Sequence, residues 1–302
     1  MLNKMISTWD QFWFGPKQLL NLAFMRVLVT ITMLHLYFLR SWNLDYFMAD
    51  GIMPRDLALS SLDEIYRPLW GWFFWPDVLT PWVHGFFVFA LLLLVLGIGG
   101  RVLMMIAWMI HAGFIYRNFG ILFGADIMAS VFLFYLSFSN ACARLSVLNL
   151  WRKRPVLVTS DALSSVMMRM IQFQICIIYA YTGFEKLKGM SWWDGTALWS
   201  VFANPQMVYL DYGFLRHVPL VIAVGSFVSI LFEIYFPAAM LNRKLKNPWL
   251  IVGVLFHLSI GLSMGLMHFS LFMLSTYFLF IETKYLELFV ARVQRFVLRV
   301  PN

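Results

Sequence analysis

The chain has 302 residues, of which 61% are hydrophobic and 18% aromatic but only 13% charged, and its mean hydropathy is +0.75. A soluble domain carries about 25% charged residues, and no polar stretch here is long enough to form one, so the composition excludes a soluble fold and predicts one polytopic membrane unit. The net charge of +8 would point to nucleic acid in a soluble chain, but in a membrane chain it follows from basic residues kept on the inner side, and nucleic acid is excluded as a partner.

Residues 1–18 carry Trp9, Asp10, Phe12, Trp13 and Phe14 among polar groups, with no apolar core and no small-residue cleavage site. They predict an interfacial amphipathic segment rather than a cleavable signal. A span needs roughly 20 apolar residues, and candidates follow at about 19–39, 82–98, 102–116, 122–139, 165–186, 218–241 and 248–267. A shorter run, 269–281, follows His268 and is an eighth candidate after a tight break. The third and fourth spans are separated only by Tyr116-Arg117-Asn118-Phe119-Gly120. Cys142 lies at the end of one span and Cys176 inside another, so no disulfide framework is expected.

The expected fold is therefore all-α and polytopic. About eight transmembrane helices occupy residues 19–281, between the segment 1–18 and a basic amphipathic tail, 282–302. Charge sets the orientation. The richest basic runs, Trp151-Arg152-Lys153-Arg154 and Asn242-Arg243-Lys244-Leu245-Lys246, fall on one side of an eight-span arrangement, and Arg101, Arg292, Arg295 and Arg299 join them. That side is the inner one, so both termini are expected inside and Lys186 outside. Two long loops then face outward. Residues 40–80 include Trp70, Trp72 and Trp75, and 188–217 include Trp192, Trp193 and Trp199, so both are expected to lie on the outer membrane face.

Lys186 is the leading candidate for chemistry. An ammonium near the edge of a hydrocarbon slab is costly unless paired, hydrated or deprotonated; the plainer reading is a lysine snorkelling from a helix end. Gln172, Tyr179, Thr182 and Lys186 recur at spacings of seven, three and four and so share one helix face. That stripe would line a cavity, or it would bond neighbouring helices together. Asn118, Asp126 and Glu233 fall at depths where they could meet it, Asp126 pairing with Arg117 and Glu233 with a lysine or histidine. Gly253, His257, Gly261 and Gly265 are four apart, a close-packing face that carries an imidazole. His35, His84, His111 and His217 find no partner in the sequence. P-loop, Cys-x-x-Cys, His-Glu-x-x-His and Gly-x-Ser-x-Gly motifs are absent, and no metal site is predicted.

Four stretches resemble the horizontally transferred transmembrane (HTTM) domain family, which includes the membrane part of vitamin K-dependent gamma-carboxylase. They are Tyr46 to Arg55, Arg117-Asn118 through Gly124-Ala125-Asp126, Thr182-Gly183-x-x-Lys186-Leu187 through Trp193-x-Gly195, and His257 through Phe269, in family order over about 20–280. The resemblance implies a helical bundle with a site open to the lumenal or periplasmic side. It implies that Lys186 matches the base that deprotonates vitamin K hydroquinone, so a quinone or quinol is the expected cofactor or substrate. Such a base must be uncharged when it acts, and removal from water disfavours an ammonium in general.

The chain departs from the carboxylase in two respects. It has no large additional lumenal region, and Phe119 stands where the carboxylase has a histidine after the motif asparagine. Glutamate carboxylation by this chain alone is therefore not expected. Small bacterial family members include proteins that act in maturation of a secreted peptide toxin; this chain resembles them in size, which implies a bacterial inner membrane. The expected function is a membrane enzyme with Lys186 as base on a lipophilic quinol-like or lipid substrate. Tyr179, Thr182, Asn118 and His257 would shape its pocket, and Asp126, Glu233 and Arg117 would serve as ion-pair or proton partners. The alternative is a non-catalytic scaffold or maturation partner for a secreted peptide or protein, in which Lys186 would ion-pair with Asp126 or Asp194. A transporter is a poorer fit, since no inverted repeat is visible.

Overall fold

The structure, a computed structural model, describes residues 2–71, 74–152 and 159–298. Trp72, Lys153, Arg154 and Arg299, used above to assign the faces, lie outside the described residues. In chain order the helices are α1 (Leu2–Trp13), α2 (Leu19–Arg40), α3 (Arg55–Ser60), α4 (Arg67–Trp70), α5 (Thr80–Val95), α6 (Gly100–Arg117), α7 (Gly124–Ser137) and α8 (Val147–Arg152). They continue as α9 (Ala162–Lys186), α10 (Met190–Trp193), α11 (Ala197–Phe202), α12 (Pro219–Leu241), α13 (Lys246–Met264), α14 (Met267–Ser275) and α15 (Thr283–Leu298). Among the described residues no strand forms; a single isolated bridge joins Gln18 to Thr159.

Local chemistry sets the helix ends. Proline opens α5 and α12 in the first turn, where its missing N–H has no intrahelical acceptor to lose. Asp126, in the first turn of α7, accepts the Phe123 backbone N–H at 3.4 Å. The break after α13 falls at Gly265, with φ +71, so His268 lies inside α14 rather than before the last helical run. Among the described residues five segments are long and apolar enough to cross a membrane: Leu19–Phe47, Asp77–Val95, Ala162–Lys186, Pro219–Leu241 and Lys246–Met264. Gly124–Ser137 and Met267–Leu279 are apolar but shorter. Outward-facing side chains such as Phe86 and Phe89 of α5 and Val224 and Leu231 of α12 are exposed and apolar, which suits lipid and not water.

The chain forms two compact units. The first comprises residues 1–169 and 282–302, and the second 170–281; α9 starts in the first and continues into the second. In the first unit α2 packs on α5 and α7, α5 on α6, and α6 on α7, with α15 against α2. Leu19, Tyr37, Phe87, Phe114 and Phe132 fill its core. The loop 40–80 has its own small core of Ala58, Leu62 and Phe74, packed on Met53, Leu59 and Tyr116 of α6. Trp75 donates its indole N–H to Thr80 and packs edge-on to Phe114. In the second unit α12 packs on α11 and α13, and α13 on α14.

Candidate functional site

The second unit gathers Tyr179, Thr182, Lys186, Glu233 and His257. Lys186 ends α9 and Glu233 lies within α12; their ammonium and carboxylate form an ion pair, with side chains 20% and 6% exposed. The Lys186 ammonium is also 5.2 Å from the Trp192 ring. Two charges meet here because the helices approach closely at Gly183: a Cβ there would stand 2.7 Å from the Ile234 side chain and 2.9 Å from its backbone nitrogen. Gly183→Ala must therefore push α9 and α12 apart. It should cost about 1–3 kcal/mol, read as a lower melting temperature of the purified protein, with a weakened effect of any further change at Glu233.

The rest of the stripe is equally engaged. The Tyr179 hydroxyl lies 2.5 Å from His257 Nε2 and 2.8 Å from the Tyr277 hydroxyl, making a buried phenol–phenol–imidazole chain. Phe232 and Phe236 of α12 pack against the Tyr179 ring. His257 is buried and its Nδ1 has no hydrogen-bond partner among the described residues, so either tautomer leaves one ring nitrogen unused there. Thr182 donates back to the Ile178 and Tyr179 carbonyls, a self-satisfied geometry common in apolar helices. Gln172 donates to the Leu279 carbonyl at 2.7 Å. Lys188, two residues beyond Lys186 and exposed, pairs with Glu185 at 2.6 Å. That hydrogen bond raises its pKa, so Lys188 holds its proton.

Asn118, Asp126 and Arg117 belong to the first unit. Asp126 is fully buried and pairs with Arg40 at 2.8 Å, which corrects the expected pairing with Arg117. The first turn of α7 aims Asp126 at the end of α2, where Arg40 is the last residue. Arg117 instead faces the loop 40–80, 3.9 Å from Asp77 and with its guanidinium 6.0 Å from the Phe74 ring centre. Asn118 donates to the Tyr46 carbonyl at 2.6 Å, tying the break between α6 and α7 to the Tyr46–Arg55 segment, and Arg55 donates to the Phe74 carbonyl. His111 bridges the Tyr37 hydroxyl (2.7 Å) and the Asp126 carbonyl (3.1 Å), and His84 meets Ser41 at 2.9 Å.

Tyr37, Arg40 and Tyr277 are members of these networks that sequence reasoning did not single out. Tyr37 and Arg40 are three apart on α2, a spacing that would have flagged one polar face. Tyr277 gave no such signal.

Helices long and apolar enough to span, with apolar outward faces, define a helical membrane-embedding protein. Among known proteins, the chain is similar to the sporulation-delaying protein SdpB of Bacillus subtilis (strain 168), 28% identical over 120 residues. The match covers 38% of this chain and 37% of that protein, so the chain spans well under half of its relative's length. No protein-family model and no solved structure matches.

Proposed function

We propose that this chain is a multi-pass protein of the HTTM type whose second unit houses an acid–base centre. One observation carries the reading: an ammonium, Lys186, and a carboxylate, Glu233, form an ion pair at the end of a candidate spanning helix. With the proton on Glu233, the Lys186 amine is free to take another from a weakly acidic hydroxyl. The substrate class is a lipophilic quinol or lipid reaching the site from the bilayer, with a quinone or quinol as the redox group. Tyr179, Thr182 and His257 shape the pocket, the unpartnered His257 nitrogen offering one more polar contact. Asn118 enters the proposal through the family resemblance alone. The setting is a bacterial inner membrane with Lys186 on the outer side.

A second reading has its own support. Every polar group of the α9 stripe has a partner within the unit or on its own helix, which is what a packing role requires. The chain would then be a scaffold or maturation partner for a secreted peptide or protein.

Lys186→Arg separates the two. Arginine keeps the charge and can meet Glu233, but it does not deprotonate usefully. In membrane vesicles supplied with a reduced naphthoquinol, the variant should lose quinol-dependent turnover by on the order of 10²-fold or more while melting close to the parent protein. Identical turnover in variant and parent, or none in the parent while the Arg variant fully supports peptide secretion, would sink the enzyme reading.

A further inference from the structure

Arg26, in the first unit, has no part in that centre. Its side chain is fully buried in α2 and its Nη2 donates to the Leu145 carbonyl at 2.8 Å. Among the described residues Nε and Nη1 have no hydrogen-bond partner and no ion pair includes the side chain. A guanidinium removed from water without a counter-charge is an incomplete arrangement. The fold nevertheless holds it in place. Leu145 offers its carbonyl from a left-handed backbone conformation, φ 50, that a leucine rarely adopts.

What lies beside the guanidinium indicates what completes it. Nη1 rests against Gly97, φ +74, where a Cβ would stand 2.4 Å away, and the Cys142 side chain is its other neighbour. Gly97 and Cys142 both line a cleft of about 310 Å³, together with Gly99, Gly100, Arg101 and Asn140. Glycines here let a ligand approach the backbone at the start of the 18-residue α6. The first N–H groups of that helix have no intrahelical acceptor and carry the positive end of its dipole. Arg101 pairs with Asp161 at 2.5 Å, and among the described residues no ion pair reaches Arg26. Gly97 follows α5 by two residues, at the end of a candidate span, the level at which lipid headgroups lie.

We propose that this cleft binds a phosphate group, carried by an acidic lipid headgroup or free in solution, with the Arg26 charge buried behind its Gly97–Cys142 wall, the N–H groups opening α6 beneath it and Arg101 at its rim. Forked guanidinium donors and a glycine-lined helix start are the chemistry that holds a phosphate. The assignment is independent of the Lys186 centre.

The test uses the full chain purified in a neutral detergent, with melting followed by tryptophan fluorescence and retained lipid by native mass spectrometry. The probes are inorganic phosphate, phosphatidylglycerol and, as the zwitterionic control, phosphatidylcholine. The melting temperature should rise with phosphatidylglycerol or with phosphate and not with phosphatidylcholine. A response to phosphatidylglycerol alone assigns a lipid, and a response to inorganic phosphate alone assigns the free ion. Arg26→Met should abolish the response while leaving the ligand-free protein as stable as before or more so, because an unmatched buried charge is gone. Arg101→Gln, at a half-exposed position that folding tolerates, should weaken the response about tenfold, and it decides the matter should Arg26→Met not fold. No shift with either phosphate probe, or the same shift in parent and Arg101→Gln, overturns the proposal.

Discussion

Replacing Glu233 by leucine should cost about 3 kcal/mol of stability, and adding Lys186→Met to that variant should return most of the loss. The reason is the asymmetry of buried ion pairs. Together, Lys186 and Glu233 cancel each other's charge in a setting where the carboxylate side chain is only 6% exposed. Glu233→Leu leaves an ammonium only 20% exposed, for which the Trp192 ring offers partial compensation, a contact worth about 0.5–2 kcal/mol. Lys186→Met alone leaves a buried carboxylate and should be similarly costly. The double variant has no charge to solvate and keeps the volume of both side chains. Melting of the four proteins gives the coupling energy directly; losses that simply add would show that the two groups do not depend on each other. The same four proteins also bear on function. All three variants should lose base-dependent turnover, whereas a scaffold should recover its role in the double variant along with its stability.

The apolar runs and the stripe on α9 were legible in the sequence because both are periodic. Runs of roughly 20 apolar residues located the long helices to within a few positions, and the 7, 3, 4 spacing put Gln172, Tyr179, Thr182 and Lys186 on one face. What each residue would touch was not legible. Glu233 is 47 residues from Lys186 and Tyr277 is 98 from Tyr179, and no local pattern connects them. Asp126 shows how proximity in sequence misleads. Arg117 is nine positions away, but a first-turn carboxylate points back past its own helix start, and that direction leads to Arg40 at the end of α2. The tryptophan-rich outer loop was read from composition as a surface layer. Its small core of Ala58, Leu62 and Phe74 was hidden because short apolar residues between turns carry no clear period. Gly265 ends α13 because its positive φ suits a glycine, so the break precedes His268.

Arg40→Met should be the most damaging single change in the first unit, costing about 3–5 kcal/mol. Asp126 is completely buried, and Arg40 is its charge partner at 2.8 Å, with a second contact of 3.0 Å. The guanidinium also lies 5.1 Å from the Tyr37 ring centre, so its loss removes packing as well as charge. Arg40→Lys should recover part of the pairing and little of the stacking, because an ammonium lacks the flat fork. Asp126→Asn in the Arg40→Met background should restore a substantial share, since a neutral amide keeps the shape at the start of α7 without needing a counter-charge. An Arg40→Met protein that melts like its parent would refute this account of the first unit. The comparison with Lys186 and Glu233 is informative because both are buried pairs, yet arginine remains protonated under any working condition. Arg40 therefore has no proton to lend and Asp126 no means of receiving one from it, which makes this pair a strut between α2 and α7. Of the two pairs, the one in the second unit is suited to move a proton.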